Sequence, residues 1–321
     1  MSRSPVVTVI VPGYDVAPYA ADALDSLRAQ TLQEWTALLI DDGSTDATGD
    51  IFAAAAASDP RFRVLYHPHR RGLGAARNTG LDAVDTPFLG FLDADDVLLP
   101  EALARMVETL DETGSDFVAG AYVRLRPDGV GGYAAGTVQP WVRAATDPAR
   151  RGITLDDHPA ASGNIVAWSK LSRTAFWQQQ HLRFPEDRFY EDQVVAQLMY
   201  TRARRFDVLP DVVVQWRERA EGTSITQYEQ RLDVLRDCVT AMSEGLAVLD
   251  AAGRAWAASA RVGLILTMDL PRLARIAADH PDAEYRRAVG AFARALSARP
   301  DAASLPIPVE VEPLLSAARL W

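Results

Sequence analysis

The sequence predicts an α/β protein in which a mostly parallel central sheet carries helices on both faces and is followed by a helical C-terminal region. Strand and helix patterns alternate through about the first 120 residues, which is typical of parallel strands joined by crossover helices. After residue 227 the apolar residues recur almost wholly at helical spacing. We therefore expect one domain at residues 1–227 and a helical region at residues 228–321.

The predicted strands are short runs rich in β-branched residues. Residues 6–11 read V-V-T-V-I-V, as expected of a strand that is buried on both faces of a sheet. Similar runs predict strands at residues 36–40, 63–66, 88–92, 117–123 and 212–216. Helical spacing predicts helices at residues 18–30, from Ser44 or Thr45 to about residue 57, at 74–84 and at 100–112.

The pattern changes beyond the fifth of these strands. Residues 127–159 contain several glycines, which predict turns and a flexible loop. In the C-terminal region, helices are expected at residues 228–249, 256–278 and 283–297. Cys238 falls on an apolar helical face and is expected to be a core residue.

Composition and charge exclude several classes of protein. The chain has 321 residues, of which 48% are hydrophobic, and this is enough for a sizeable core. Its 33 Lys and Arg against 43 Asp and Glu give a net charge of −10, which argues against non-specific nucleic-acid binding. The single cysteine excludes an intrachain disulfide and fits a reducing compartment. Because no apolar run reaches the length of a transmembrane helix, we expect a soluble cytoplasmic protein, and the sequence leaves peripheral contact with the inner face of a membrane open.

Polar clusters directly follow three of the predicted strands. They read P-G-Y-D at residues 12–15, D-D-G-S at residues 41–44 and D-A-D-D at residues 93–96. Ligands of open α/β sheets bind outside the carboxyl ends of the strands. We therefore expect the three clusters to converge on one edge of the sheet and to form a binding site there.

The D-A-D-D cluster places three carboxylates at the end of a buried strand. Asp93, Asp95 and Asp96 would repel one another and lose hydration unless a positive charge lies beside them. A hard divalent cation, which prefers oxygen ligands, is a natural counter-charge. A solvated acidic loop, with Asp96 capping the next helix, is the alternative.

Two further segments allow both a ligand-binding and a structural interpretation. A carboxylate of Asp41 or Asp42 could accept a hydrogen bond from the N–H of a pyrimidine ring, but the segment also fits a helix start after a strand. The run G-L-G-A-A-R at residues 72–77 matches a dinucleotide loop only in part, because Arg77 stands at the third glycine position. Arg77 is better explained as a cation facing the acidic edge, or as a surface helix residue. His67 lies in a basic stretch that predicts a surface loop.

Charged residues in the second half of the chain extend the set of candidates. Glu191 and Asp192 open a predicted helix, where the helix dipole favours carboxylates. Asp192 could equally act as a general base that takes a proton from an attacking hydroxyl. Arg217 and Arg219 end a predicted strand, where they could bind a diphosphate or lie in a solvated turn.

Taken in order, these segments resemble the family-2 inverting glycosyltransferases of the GT-A fold. The resemblance is strong from about residue 6 to residue 120, moderate from about residue 164 to residue 226, and absent after residue 227. Each motif is weak alone, but the ordered set is specific. The matching motifs are V-T-V-I-V-P-G-Y-D from Val7, L-L-I-D-D-G-S-T-D from Leu38, G-L-G-A-A-R-N-T-G from Gly72, F-L-D-A-D-D from Phe91, W-S-K-L from Trp168, F-Y-E-D-Q from Phe189 and R-E-R-A-E-G-T-S-I-T from Arg217.

The resemblance implies a GT-A catalytic domain at residues 1–227, with a nucleotide-binding half up to about residue 120 and an acceptor-binding, catalytic half after it. It implies that Asp192 is the catalytic base, with Glu191 beside it contacting the donor or acceptor sugar. It also implies that Asp95, with Asp93, binds Mn²⁺ or Mg²⁺. The residues implied to bind the nucleotide sugar are Pro12, Tyr14, Asp41, Asp42, Arg77, Asp93, Arg217, Arg219 and Ser224.

The implied function is transfer of a sugar from a nucleotide-sugar donor, with UDP as the expected nucleotide, to a hydroxyl of a cell-wall or surface glycopolymer. The late motifs most resemble those of bacterial enzymes that decorate teichoic acids and capsular polymers. One departure from the family is Gly13, where the family usually carries a bulkier residue. Two rival interpretations stay open, a metal-dependent nucleotidyltransferase and a nucleotide- or glycan-binding module without catalysis.

The helical region carries no acidic cluster of the metal-site type. We expect it to serve homo-oligomerisation or acceptor docking rather than chemistry. A helical segment of ~90 residues buries a core of its own only marginally, so leftover apolar surface favours a partner. A monomer whose helices pack against the sheet is the alternative.

Overall fold

The structure, a computed structural model, describes residues 4–220 and 228–321. Within these residues one mixed sheet, most of whose long strands are parallel, confirms the predicted fold class. The strands are β1 (Val7–Gly13), β2 (Trp35–Asp41), β3 (Phe62–Tyr66), β4 (Phe88–Phe91), β5 (Val97–Leu98), β6 (Phe117–Pro127), β7 (Tyr133–Ala135), β8 (Arg150–Ile153), β9 (Lys170–Arg173) and β10 (Phe206–Arg217).

The first four strands form the parallel half of the sheet. β1 pairs with β2 and β4, and β2 pairs with β3. Every residue of β1, β2 and β4 is buried, which explains their continuous apolar runs. β9 lies between β4 and β6 and runs antiparallel to both, whereas β6 and β10 are parallel. The order is β3-β2-β1-β4-β9-β6-β10-β5, with β7 beside β6 and β8 beside β10.

Helices follow most of the strands and fill the C-terminal region, as predicted. In the C-terminal region a π-helical turn at Ile265–Asp269 interrupts the helix predicted at residues 256–278. The α-helices of the described residues are α1 (Ala17–Arg28), α2 (Thr48–Ser58), α3 (Leu73–Asp82), α4 (Ala102–Thr113), α5 (Pro140–Thr146), α6 (Thr174–Gln179), α7 (Asp192–Arg202), α8 (Leu232–Ala251), α9 (Ala255–Leu264), α10 (Leu270–Asp279), α11 (Ala283–Ser297) and α12 (Glu312–Arg319).

Two local predictions are wrong, and one strand is longer than predicted. Residues 127–159 are not an irregular loop, because β7, α5 and β8 lie within them. Neither Ser44 nor Thr45 caps α2, which begins at Thr48. The side chain of Asp46 stabilises this start, since its Oδ1 accepts the Thr48 N–H at 2.9 Å. The strand predicted at residues 212–216 is confirmed within β10, which begins earlier, at Phe206. The pairing register of β10 shifts past Pro210, which has no N–H to donate.

Buried apolar residues form two clusters. One surrounds the sheet and includes Phe117 and Phe206, and the other lies among the C-terminal helices and includes Leu235 and Tyr285. Cys238 is buried in the second cluster, as predicted. The C-terminal helices pack on the sheet domain, since α8 contacts α7 and α9 contacts a 3-10 turn at Pro159–Gly163.

The boundary expected at residue 227 falls within residues 221–227, outside the described residues. In the described parts of the chain, none of the helices combines the length and the apolar character needed to cross a bilayer.

Two helical glycines provide a test of how closely α3 packs on β1. An added Cβ at Gly80 would lie 2.4 Å from Ile10 Cγ2, so Gly80→Ala is expected to lower the free energy of unfolding by about 1–3 kcal/mol. An added Cβ at Gly263 in α9 would lie 3.8 Å from Leu305, so Gly263→Ala is expected to leave stability unchanged or raise it by about 0.5–1 kcal/mol. Urea unfolding measures both variants, and equal effects would contradict the close packing.

Candidate active site

The carboxyl ends of four strands meet at one edge of the sheet. Gly13 at the end of β1 pairs with Asp41 at the end of β2, which in turn pairs with Tyr66 of β3. Just after β4, the N–H of Ala94 donates to the carbonyl oxygen of Pro12 at 3.2 Å. The three polar clusters therefore converge on this edge, as predicted.

A buried arginine links this edge to the start of α7. The Arg77 side chain is 1% exposed and donates from Nη2 to Asp93 Oδ1 at 2.7 Å. From Nη1 it donates to Glu191 Oε1 at 2.5 Å. The ring of Phe184 covers the guanidinium, with 5.2 Å between the ring centroid and Arg77 Cζ. Arg77 is thus a cation facing the acidic edge, and it joins β4 to α7.

Burial and charge shift the pKa values in this network. Burial raises the pKa of Glu191 to about 7, although Arg77 opposes the shift. Burial also raises the pKa of Asp192, again opposed by Arg77. Burial alone would lower the pKa of Arg77, but the carboxylates of Asp93 and Glu191 raise it above its ordinary value. The edge therefore holds a permanent cation beside a carboxyl group that titrates near neutral pH.

Two arginines at and after the end of β10 contact the D-A-D-D cluster. Arg219 Nε donates to Asp95 Oδ2 at 2.7 Å. The backbone N–H of Arg217 donates to Asp96 Oδ1 at 2.7 Å, and its Nε donates to the carbonyl oxygen of Asp95 at 2.7 Å. Burial raises the pKa of Asp95, and burial together with the charge of Asp95 raises that of Asp96. Arg217 is 4% exposed, so a solvated turn is excluded for it.

Asp42 is engaged by the protein itself. Its Oδ1 lies 2.6 Å from His67 Nδ1 and accepts the N–H of Arg71 at 2.8 Å, while its Oδ2 accepts the N–H of Gly72 at 2.8 Å. His67 Nε2 lies 2.9 Å from Thr79 Oγ1. His67 is 7% exposed, so the prediction that it lies in a surface loop is wrong. His67 is buried because it pairs with Asp42, which follows β2 and is distant from it in the sequence. Through its contacts with His67, Arg71 and Gly72, Asp42 fixes the loop between β3 and α3.

Of the remaining predicted nucleotide contacts, Pro12 and Asp41 lie at the ends of β1 and β2, and Tyr14 directly follows β1. The Arg70 guanidinium carbon lies 4.3 Å from the centroid of the Tyr14 ring. Asp41 Oδ1 accepts the N–H of Ser44 at 3.0 Å, which turns the chain after β2. Ser224 falls in residues 221–227 and lies outside the described residues.

Lys170 is a charged neighbour of the site that the sequence interpretation missed. It is 3% exposed, and its Nζ donates to the carbonyl oxygens of Asn164 at 2.8 Å and Val166 at 2.6 Å. Burial lowers the pKa of Lys170 to about 7, while the nearby charge of Asp192 opposes this shift. The W-S-K-L motif contains this lysine, but the motif alone does not reveal that it is buried.

Comparison with known proteins shows which family and which folds this chain resembles. Residues 8–164 match "Glycosyl transferase family 2". The chain is 29% identical to "Uncharacterized glycosyltransferase EpsJ" of Bacillus subtilis over 71% of its own length and 66% of the length of EpsJ. The chain is therefore similar to glycosyl transferase family 2 over residues 8–164. It spans just under two thirds of this curated relative.

Solved structures show the same fold as this chain. Staphylococcus aureus TarS in complex with UDP-GlcNAc superposes with a TM-score of 0.61 at 21% identity, covering 98% of this chain and 87% of that one. The mannosyltransferase PcManGT from Pyrobaculum calidifontis, in complex with GDP-Man and Mn²⁺, superposes with a TM-score of 0.59 at 19% identity, covering 99% and 87%. These likenesses confirm the GT-A fold followed by C-terminal helices.

The glycine at position 13, where the family that the chain resembles usually carries a bulkier residue, has a structural reason. An added Cβ at Gly13 would lie 2.8 Å from Phe52 Cζ and 3.2 Å from Val16 Cγ2. Phe52 of α2 is 0% exposed, so the ring cannot turn outward without losing its core contacts. In this chain, Phe52 fills the space beside β1 that a bulkier residue at position 13 would need.

Removal of the Arg77 cation is expected to destabilise the protein strongly. Arg77→Met leaves Asp93 and Glu191 buried without their shared partner, so the free energy of unfolding is expected to fall by about 3–5 kcal/mol. Urea denaturation measures the loss. Arg105→Met is the control, because Arg105 pairs with Glu108 at an exposed site and such pairs contribute about 1 kcal/mol or less.

The loss of stability in Arg77→Met is expected to depend on pH. The folded-state pKa of Glu191, about 7, lies above its unfolded value of 4.5, so its stabilising contribution is present below 4.5 and is lost as the pH rises through 7. Without Arg77 this pKa rises further and the loss extends to higher pH. Arg77→Met should therefore cost more stability at pH 8 than at pH 6, and equal losses would contradict the assigned electrostatics.

Proposed function

We propose that the chain transfers a sugar from a nucleotide-sugar donor to an acceptor hydroxyl, with inversion at the transferred carbon. The observation that carries this proposal is the Arg77 bridge, which holds Asp93 of the strand-end edge and Glu191 together. A single displacement requires a base, a donor sugar and a leaving diphosphate aligned at one place. The match of residues 8–164 to glycosyl transferase family 2 supports the same class of reaction.

We infer that the nucleotide lies across the ends of β1, β2 and β3 and that it is UDP. Pro12, Tyr14 and Asp41 are the side chains assigned to the base. Asp42 is assigned an indirect part, since its oxygens already hold the loop between β3 and α3. The complexes of TarS with UDP-GlcNAc and of PcManGT with GDP-Man, in the same fold, support a nucleotide-sugar donor.

Asp95 and Asp93 are the residues that would hold Mn²⁺ or Mg²⁺. Their side chains are 15% and 22% exposed at the donor edge, and carboxylates suit a hard cation. Residues 4–220 and 228–321 contain no preassembled group of three potential ligands, so donor phosphate oxygens and water are needed to complete the shell. A bound cation supplies charge neutralisation at the leaving diphosphate. The Mn²⁺ in PcManGT supports this assignment.

The arginines of β10 and the segment after it are assigned to the diphosphate. In the described structure Arg219 is paired with Asp95, and Arg217 is paired with Asp22 at 2.8 Å. Donor binding then requires Arg219 to exchange a carboxylate for phosphate oxygens, for which a guanidinium is well suited. Ser224 is assigned to the same contact.

Asp192 is assigned as the general base that takes the proton of the acceptor hydroxyl. Its pKa is raised by burial, so its carboxylate accepts a proton more readily than an ordinary aspartate. Arg77 and Lys170 limit this rise and favour the ionised form that a base needs. Glu191, held by Arg77, is assigned to a contact with the donor or acceptor sugar.

We propose a cell-wall or surface glycopolymer as the acceptor. Residues 1–227 then form the catalytic domain, and residues 228–321 support homo-oligomerisation or acceptor docking. Exposed apolar side chains on this region support a contact surface, with Trp256 77% and Leu320 87% exposed. A cytoplasmic site of action, peripheral to the membrane, fits an acceptor that is built at the cell surface.

Release of UDP from a panel of UDP-sugars, with and without Mn²⁺ and with and without glycan acceptors, tests the proposed function. A glycosyltransferase releases UDP and yields a glycosylated acceptor. A nucleotidyltransferase would instead release pyrophosphate from a nucleoside triphosphate, and a binding module would turn over neither substrate.

Asp192→Asn is expected to lower kcat by ~10²–10⁴-fold while donor affinity stays unchanged, because an amide keeps the size of the side chain but cannot take the proton. Steady-state kinetics and calorimetry with UDP measure the two quantities. Asp157→Asn, on the exposed surface, is the control. Loss of UDP binding with normal turnover of the remaining complex would show that Asp192 holds the donor instead.

Asp95→Ala is expected to abolish the Mn²⁺-dependent part of UDP binding and of turnover while the fold survives. The reason is that Asp95 supplies a carboxylate oxygen to the cation at the donor edge. Calorimetry of UDP with Mn²⁺ or EDTA, with Asp157→Ala as the control, measures the effect. Wild-type activity that persists in excess EDTA would contradict a metal requirement.

A further inference from the structure

The turn that carries Glu191 and Asp192 is strained. Two residues close before them have left-handed backbone conformations, Asp187 with a φ of 61° and Tyr190 with a φ of 59°. For a residue other than glycine this conformation costs roughly 1–2 kcal/mol. Such conformations persist where the surrounding structure determines them, and they concentrate at functional sites.

Three contacts hold this turn, two from α8 and one from Glu229, which lies just before α8. Arg188 Nη2 pairs with Glu244 Oε2 at 2.6 Å, and the backbone N–H of Phe189 donates to Asp237 Oδ2 at 2.9 Å. Asp237 and Glu244 are seven residues apart in α8 and so lie on one face of that helix. The third contact is made by Tyr190.

Tyr190 places its ring in the apolar cluster of the C-terminal helices. Its hydroxyl donates to Glu229 Oε1 at 2.8 Å. Glu229 is 6% exposed and is itself fixed, since its carbonyl oxygen accepts the hydroxyl of Tyr285 at 2.6 Å and its carboxylate pairs with Arg272. The aromatic side chain directly before Glu191 is therefore anchored to buried residues of the helical region.

A fourth contact lies on the other side of the two carboxylates. Arg261 of α9 is 6% exposed and donates from Nη2 to Gln193 Oε1 at 3.2 Å. Arg261 also pairs with Asp269 at 3.4 Å, at the end of the π-helical turn, and π-helical turns are frequent at functional sites. Residues on both sides of Glu191 and Asp192 are thus bound to the C-terminal helices.

We propose that the C-terminal helices position the Glu191–Asp192 pair for catalysis, with Tyr190, Asp237 and Glu229 as positioning residues. The proposal rests on the function proposed above and reverses the expectation that this region takes no part in chemistry. Arg77, which follows the sheet edge, holds the Glu191 side chain, and residues of the C-terminal region hold the adjoining Phe189 and Tyr190. Removing one helical contact lets the strained turn relax and displaces the base.

Asp237 offers a substitution that separates positioning from folding. Asp237→Ala removes the acceptor of the Phe189 N–H, whereas Asp237→Asn keeps an oxygen acceptor at the same place. Asp237→Ala is expected to lower kcat for UDP-sugar turnover by about 10-fold or more, because small misplacements of catalytic groups cost up to ~10²-fold. Donor affinity is expected to stay within about twofold, since the donor contacts lie elsewhere, and Asp237→Asn is expected to restore most of the rate.

Asp233→Ala is the matched control, because Asp233 is an exposed aspartate on α8 that pairs with Arg231. The pH profile supplies a second readout. Burial raises the pKa of Asp192, so a displaced Asp192 moves the acid limb of the kcat profile of Asp237→Ala to lower pH. A purely structural effect would lower kcat without moving this limb.

Amide hydrogen exchange of residues 188–195 tests the anchoring without any substrate. Exchange is expected to be faster in Asp237→Ala than in wild type, Asp237→Asn or the control. If Asp237→Ala does not fold, Tyr190→Phe, which loses the hydroxyl contact but keeps the ring, takes its place in every measurement. A wild-type protein that turns over no donor would overturn the proposed function, whereas exchange still reports on the anchor.

Normal kcat, an unmoved pH limb and unchanged exchange in Asp237→Ala and Tyr190→Phe would overturn the inference while the proposed function stands. A lowered kcat that Asp237→Asn does not restore would also overturn it, because the loss would then arise from the missing charge and not from the missing acceptor.

Discussion

Arg77 donates hydrogen bonds to Asp93 and Glu191 from a site that is 1% exposed, where water cannot replace either partner. A buried guanidinium without carboxylates would be very costly, and so would the carboxylates without the guanidinium. The strand-end cluster that contains Asp93 and the start of α7 can therefore keep their places only together. The position of the proposed base relative to the proposed donor site follows from this electrostatic requirement.

The parallel half of the sheet could be predicted from the sequence because its information is local. Runs of apolar and β-branched residues predict β1, β2 and β4. In a parallel sheet the polar residues that follow these strands lie at one edge. The acidic edge of the sheet could therefore be predicted from the sequence alone. The irregular second half was harder, because β5 has only two residues and the strands β7 and β8 are short and partly exposed.

The ion pairs and hydrogen bonds that hold the site together could not be predicted from the sequence in this way. Arg77 and Glu191 are 114 residues apart, and His67 and Asp42 lie in loops that follow different strands. No period or spacing encodes such contacts, since they depend on how elements pack in three dimensions. A partial signal existed in α8, where the helical spacing of Asp237 and Glu244 places two carboxylates on one face, but nothing in the sequence identifies Phe189 and Arg188 as their partners.

The place of β9 in the sheet has a consequence for how this protein is made and how it can be recombined. β4 ends at Phe91 and β6 begins at Phe117, yet β9, the strand that joins them, begins at Lys170. While the chain emerges from the ribosome, β4 and β6 expose unpaired backbone edges until β9 has been synthesised, and such edges are prone to aggregation. The nucleotide-binding half is consequently not a module that can be cut out and exchanged between relatives. A chimera that keeps this sheet intact has to take β1 through β10 from one parent.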